Sequence, residues 1–200
     1  MAQRRHHYES AFEAYLRSRR IPYIAVDEAR KTLLPRASPS LSVGTAHGAA
    51  SPDSLKSFDF VVYADSGNLL VDVKGRHASR PARAGGPRLE SWVTQEDVTS
   101  MARWEPLFGP DFRAAFAFLY CHDQQPPDGE LDEIFEDHGR WYGLRLVQLR
   151  DYTRHMKQRS PRWRTLHLAP ADFQRIGGPL CQPPGRGTPS RRAAAGWRGW

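Results

Sequence analysis

Two segments in the first half of the chain carry ionisable side chains in otherwise apolar surroundings. Asp59 lies in the run Ser-Phe-Asp-Phe-Val-Val, and thirteen residues later Asp72 is followed by Lys74 in Val-Asp-Val-Lys. The β-branched and aromatic residues around them are typical of strands. Because strand side chains alternate, we expect Asp72 and Lys74 on one face and the adjoining valines on the other. The turn-forming residues Asp65–Asn68 predict a hairpin that brings Asp59 close to Asp72.

A pair of carboxylates in this position is suited to a divalent cation. Two carboxylates on an apolar surface repel each other unless a cation lies between them. A hard cation with oxygen ligands fits best, Mg²⁺ in the first place with Mn²⁺ as a substitute. Lys74 beside such an ion could hold a phosphate group or lower the pKa of an attacking water. The alternative is an ordinary surface ion pair between Asp72 and Lys74, because the Asp-x-Lys pattern is short and also arises by chance.

The elements that must position these residues follow from apolar periodicity and from turn residues. The predicted elements are a helix over 7–19, strands over 23–26, 58–63 and 69–74, a helix capped by Thr94 with Asp97 three residues on, strands over 112–121, 141–149 and 165–168, and a short helix over 171–176. This order predicts the α/β class, with an α-β-β-β-α-β core, a mixed sheet and one or two added C-terminal strands.

The arrangement resembles the PD-(D/E)XK nuclease superfamily, and within it the Holliday-junction-resolvase and RecB-like branches. The resemblance covers roughly residues 8–121. It is carried by Glu9 on the first helix, Asp59 in the second strand, and Asp72 with Lys74 in the third, followed by a helix and a strand. The fold it implies is restriction-endonuclease-like.

The resemblance also implies a role for each of these residues. By similarity, Asp59, Asp72 and Glu9 would be metal ligands. Lys74 would position or activate the water, and Gln95, on the helix after the third strand, would assist at the site. All five would then be catalytic, in a Mg²⁺-dependent reaction.

Some parts of the chain depart from that pattern. The proline of the motif is absent, since Ser-Phe precedes Asp59, and neither the insertion over 75–87 nor the C-terminal third matches a branch. The opening His-His-Tyr-Glu-Ser-Ala-Phe and the segment Leu69–Gly75 also resemble an uncharacterised bacterial protein family, which supplies no substrate.

The charge distribution indicates a polyanionic partner. The formal net charge is +7. Residues 123–137 hold seven acids with no Lys or Arg, which we interpret as a solvated loop. Residues 140–164 hold eight basic residues and one acid, interleaved with aromatic residues that can stack on bases. We therefore expect nucleic acid, DNA before RNA, to contact Arg154, Lys157, Arg159, Arg162, Trp163 and Arg164.

Length and composition limit the organisation of the chain. With 200 residues we expect one domain over 1–180, with irregular insertions near 35–54, 75–87 and 123–139, and a disordered basic tail over 181–200. No apolar run approaches the ~18–20 residues that cross a bilayer, so we expect no membrane partner. Two cysteines give no disulfide framework or metal motif, which favours the cytoplasm. A homodimer stays open.

Two functions follow from these observations. The first is a Mg²⁺-dependent endonuclease that hydrolyses phosphodiester bonds in DNA. The second is a nucleic-acid-binding module that retains the nuclease fold and has no activity. The presence of Glu9, Asp59, Asp72 and Lys74 together favours the first.

Overall fold

The computed structural model describes residues 3–26, 55–78, 89–126, 131 and 133–180. The helices are α1 Gln3–Ser18, α2 Gln95–Phe108, α3 Leu149–His155 and α4 Pro170–Ile176. The strands are β1 Tyr23–Ala25, β2 Phe60–Ala64, β3 Gly67–His77, β4 Val93–Thr94, β5 Phe112–His122, β6 Glu133–Asp137, β7 Arg140–Gln148, β8 Lys157–Ser160 and β9 Thr165–His167. The predicted insertion near 35–54 and the predicted tail over 181–200 lie outside the described residues.

The described strands form two sheets. The larger has the order β1-β2-β3-β5-β7-β6, in which β3 and β5 run parallel and the other neighbours run antiparallel. The smaller has the order β4-β9-β8 and is antiparallel. The predicted α/β class, with an α-β-β-β-α-β core, a mixed sheet and added C-terminal strands, is therefore confirmed.

In the described part of the chain, no helix is long and apolar enough to span a membrane.

The predicted hairpin joins β2 to β3. Ala64 pairs with Gly67, and Asp65 and Ser66 form the turn between them. Gly67 has a φ of 124°, a conformation that residues with a Cβ rarely adopt, which explains the glycine at this position. The tight turn fixes the register of the two strands, so the order of side chains along β3 decides what faces the core.

Strand β3 is longer than the sequence predicted. Residues 75–77, assigned to an irregular insertion, continue the strand and pair with Leu119 to Cys121 of β5. The prediction was wrong for these residues because the parallel partner supplies backbone hydrogen bonds, which a local pattern containing Gly75 does not reveal.

The larger sheet separates two clusters of buried side chains. On one face, Val71 packs with Phe12 and the other buried residues of α1. On the other face, Leu70 packs in a cluster with Met101 of α2. Because side chains alternate along β3, Asp72 belongs to the face that α2 covers.

Helix α1 approaches β3 closely at Gly75. A Cβ atom on Gly75 would overlap the ring of Tyr8. The glycine therefore sets how near the helix lies to the strand, one residue after Lys74.

The acidic segment was interpreted as a solvated loop, and this is wrong for residues 133–137. They form β6, which pairs with β7 at the edge of the larger sheet. Glu133 is buried; its carboxylate accepts a hydrogen bond from the Tyr15 hydroxyl and one from the Leu180 N–H at 2.9 Å. Two donors from distant parts of the chain compensate for the burial of this charge.

The close approach at Gly75 generates a test. We expect Gly75→Ala to lower the free energy of unfolding by about 1–3 kcal/mol, because the added methyl group must displace the Tyr8 ring. Urea denaturation measures this change. Gly178→Ala is the control, since a Cβ there meets nothing within 4 Å. Equal effects of the two glycine substitutions would contradict this close packing. It would also be contradicted if the changes in unfolding free energy of Gly75→Ala and Tyr8→Ala simply added in the double variant.

Candidate active site

Asp59 is held against β3 by backbone hydrogen bonds. Its N–H donates to the Val71 carbonyl at 2.9 Å, and the Val26 N–H donates to its carbonyl at 2.8 Å. Its side chain Oδ2 accepts from the Val73 N–H at 2.7 Å. These contacts place Asp59 across from Asp72. The sequence placed Asp59 inside the strand, whereas it lies in a bend one residue before β2.

Asp72 and Lys74 form an ion pair on the face of β3 covered by α2. Asp72 is only 5% exposed, and its Oδ2 lies 2.8 Å from Lys74 Nζ. Burial raises the pKa of Asp72 to about 7; Lys74 opposes this shift, while the charges of Asp59 and Asp97 add to it. The Asp72 carboxyl group therefore needs a nearby positive charge to stay ionised.

Lys74 has a second carboxylate partner that the sequence analysis did not include in the site. Its Nζ lies 3.1 Å from Asp97 Oδ1, on α2. Burial alone would lower the pKa of Lys74, but the carboxylates of Asp72 and Asp97 outweigh it and raise the pKa above its usual value. Lys74 is thus a buried cation between two anions.

Asp97 also caps the helix that carries it. The Thr94 N–H donates to Asp97 Oδ2 at 2.8 Å, and the Asp97 N–H donates to Thr94 Oγ1 at 3.1 Å. The sequence predicted this capping box but assigned Asp97 no further role. Burial would raise the pKa of Asp97, but Lys74, Lys56 and the Thr94 N–H lower it to about 2. The sequence signal was an acid in the first turn of the helix that follows the Asp-x-Lys strand.

Lys56 continues the same network outward. Its ammonium group contacts Asp97 Oδ1, its N–H donates to Ser100 Oγ at 3.1 Å, and its carbonyl accepts from Trp104 Nε1 at 2.9 Å. The segment that leads into Asp59 is therefore attached to α2. Charges alternate along the network from Lys56 through Asp97 and Lys74 to Asp72.

The donor set at the Asp59 end is compatible with Mg²⁺. Among the five charged side chains, Asp59, Asp72 and Asp97 supply three negative charges, and Lys56 and Lys74 supply two positive ones. Mg²⁺ commonly binds through one or two carboxylates and keeps waters or phosphate oxygens as its other ligands. The described residues contain no cluster of three or more His, Cys, Asp or Glu side chains disposed to hold a metal. Asp59 and Asp72 are the two carboxylates that a site of this kind would use.

Glu9 and Gln95 lie on the two helices next to this site. Glu9 is half-buried on α1, the helix that packs against the face of β3 opposite to Asp72 and Lys74. Gln95 is the first residue of α2, two residues before Asp97. The structure brings Asp97 into direct contact with Lys74, while the roles of Glu9 and Gln95 stay predictions.

The last part of the basic segment, from β8 through the turn to β9, forms a hairpin attached to the beginning of α2. Strand β9 pairs with β4 through Thr165 and Thr94, and the Gln95 N–H donates to the Arg164 carbonyl at 2.8 Å. The turn between β8 and β9 is therefore at the same end of α2 as Asp97. All the residues predicted to bind nucleic acid are exposed: Arg154, Lys157, Arg159, Arg162, Trp163 and Arg164.

Arg159 has contacts within the protein that explain its position. Its guanidinium group lies 3.1 Å from the Glu90 carboxylate and 5.2 Å from the centroid of the Trp92 ring. Arg76 packs on the same ring, 4.0 Å from the centroid. These contacts attach β8 to the rest of the molecule, so Arg159 has a structural role whether or not it also meets a phosphate.

No protein-family model and no curated protein matches the chain. No family model therefore supports the resemblance to an uncharacterised bacterial family. Among solved structures, the chain is similar to a Holliday junction resolvase, Hjc, from the archaeal hyperthermophile Archaeoglobus fulgidus. The two share 13% sequence identity with a TM-score of 0.46, over 86% of this chain and 93% of that chain. With β4 set aside because it belongs to the smaller sheet, the order α1-β1-β2-β3-α2-β5, with β3 parallel to β5, is the α-β-β-β-α-β core expected from the sequence.

The double role of Asp97 generates a test. We expect Asp97→Asn to lower the free energy of unfolding by about 3 kcal/mol, because Lys74 loses one of its two partners in a buried site. Chemical denaturation in metal-free buffer measures the change. Glu96→Gln is the matched control: it removes the neighbouring charge from the same helix turn, where Glu96 is exposed, and should cost less than about 1 kcal/mol. Similar losses in both variants would show that Asp97 acts only through the helix dipole.

Proposed function

We propose that this protein is a metal-dependent nuclease that hydrolyses phosphodiester bonds in DNA. The observation that carries the proposal is the proximity of Asp59, just before β2, to Asp72 and Lys74 on β3. Two carboxylates and an ammonium group in this order can bind a cation and a phosphate group together.

Each side chain has a separate task in this proposal. Asp59 and Asp72 hold the cation through carboxylate oxygens. When bound, Mg²⁺ would act as a Lewis acid that polarises the phosphate and favours deprotonation of a water molecule. Lys74, an ammonium group with three donors, orients a phosphate oxygen or the attacking water. Asp97 acts indirectly, because it holds Lys74 in position.

The basic hairpin supports nucleic acid as the substrate. Between Asp151 and Asp172 the chain has no acid, and it carries Arg154, Lys157, Arg159, Arg162 and Arg164. The hairpin turn lies at the end of α2 that also carries Asp97. Arginine and lysine bind phosphates without reading sequence, so this surface would position a backbone near the site. Gln95 at the start of α2 and Glu9, whose helix packs on the opposite face of β3, are further candidates. We place this activity in the cytoplasm and leave a homodimer open.

A nucleic-acid-binding module without activity is the second candidate, and one observation favours it. Lys74 is paired with both Asp72 and Asp97, so this ion-pair network can exist for stability alone.

A single assay distinguishes the two candidates. Purified protein is incubated with plasmid, four-way-junction and single-stranded DNA, with and without Mg²⁺ or Mn²⁺. Cleavage that requires the metal supports the nuclease; tight binding without cleavage under either metal supports the binding module.

The proposed ligands can be tested by removing one charge at a time. We expect Asp59→Asn and Asp72→Asn each to abolish cleavage and to leave DNA binding unchanged or slightly tighter, because each removes a metal ligand and a negative charge near the phosphate. Cleavage with Mg²⁺ and binding in EDTA are measured on the same DNA.

Asp65→Asn is the control, since Asp65 is an exposed carboxylate at the turn of the same hairpin. It should behave as the wild type in both assays. Wild-type cleavage by Asp59→Asn or Asp72→Asn would show that the assignment of the site is wrong.

A further inference from the structure

The turn that connects β8 and β9 has a defined shape. The Arg164 N–H donates to the Pro161 carbonyl at 3.2 Å, and the Trp163 N–H donates to Ser160 Oγ at 3.3 Å. Through its carbonyl, Arg164 also accepts a hydrogen bond from the Gln95 N–H at 2.8 Å. The turn is therefore closed on itself and attached to the first residue of α2.

Trp163 projects from this turn into solvent. Its side chain is 69% exposed, and the Arg162 guanidinium group lies 5.3 Å from the centroid of its ring. An indole exposed to this extent adds little to the hydrophobic core and is available to a partner. Residues 157–168 contain four basic residues and no acid, so the partner that fits the surroundings of the ring is an anion with flat apolar faces. Nucleic acid has both properties.

The position of Trp163 relative to the site adds to this argument. Thr94 pairs with Thr165 of β9 and caps α2, and Asp97 in the first turn of α2 binds Lys74. The turn that carries the indole and the Lys74 ammonium group thus both contact the first turn of α2. A nucleic-acid strand bound with a phosphate at Lys74 would have neighbouring nucleotides near the turn.

We propose that Trp163 stacks on an unpaired base, and that the substrate of this site is DNA with a single-stranded segment next to the cleaved phosphate. The inference rests on the proposed function for the location of the chemistry. In a continuous duplex each base face is covered by its neighbours, whereas unpaired bases expose their faces to aromatic side chains. Arg162, whose guanidinium group lies 5.3 Å from the indole centroid, contributes its charge to the phosphate next to that base.

Binding in the absence of divalent metal tests the proposal with the full chain. Fluorescence polarisation compares a labelled single strand of DNA with a blunt duplex of the same sequence, in EDTA. We expect Trp163→Ala to weaken binding of the single strand by roughly 5- to 150-fold, the loss expected from one stacked base, and to leave duplex binding unchanged. Trp163→Phe should retain most of the affinity, because it keeps an aromatic face.

Leu107→Ala is the matched control, since Leu107 is also 69% exposed and lies in the last turn of α2. It should bind both DNAs as the wild type does. No loss with Trp163→Ala, or the same loss on single strand and duplex, would overturn the stacking proposal.

Cleavage of the same DNAs with Mg²⁺ is measured separately, so that the two proposals fail in different ways. Selective binding through Trp163 without cleavage would refute the nuclease and leave the stacking contact intact. Cleavage of duplex and single strand at equal rates would refute the substrate preference and leave the nuclease intact.

Discussion

Lys74 is a buried ammonium group between two carboxylates from different elements, Asp72 on β3 and Asp97 on α2. A charge removed from water without a partner costs several kcal/mol, and loss of one partner from a buried pair is strongly destabilising. The strand and the helix must therefore meet where the three groups touch. This requirement positions the first turn of α2 over the middle of β3, on the face where Asp72 projects.

The same contact links the site to the basic hairpin. Asp97 uses one carboxylate oxygen to cap α2 at Thr94 and the other to bind Lys74 and Lys56. Because Thr94 belongs to β4, which pairs with β9, the cap also determines where the hairpin lies. Ion pairing, helix capping and sheet pairing thus share residues within a few positions. A proposed phosphate-binding surface and a proposed metal site come together as a consequence of this shared geometry.

The two faces of the larger sheet have different tasks. One face packs against α1, and its closeness depends on the absence of a side chain at Gly75. The other face carries Asp72, which is buried, and Lys74, which pairs with Asp97 of α2. With Asp59 added, the carboxylates outnumber the ammonium groups by one. This excess of negative charge favours the binding of a divalent cation or of another hydrogen-bond donor.

The sequence by itself determined the elements and the side-chain faces that carry the proposed chemistry. The alternation around Asp72, the turn residues before Gly67 and the Thr94 cap are patterns within a few residues, and the local backbone responds to them directly. The hairpin, the α/β order and the shared face of Asp72 and Lys74 could be predicted for this reason. The extent of β3 could not, because its last residues depend on a partner strand more than forty positions away.

Only the tertiary structure decided which charges are paired. Asp97 lies 23 positions after Lys74, and nothing in the local pattern distinguishes it from an ordinary helix cap. Glu133 is buried because Tyr15 and Leu180 reach it from distant parts of the chain, although its neighbours in sequence indicate a solvated loop. Arg159 contacts Glu90 and Trp92. A side chain's charge is given by its type, but the environment that stabilises that charge is set by packing between elements, which local sequence does not contain.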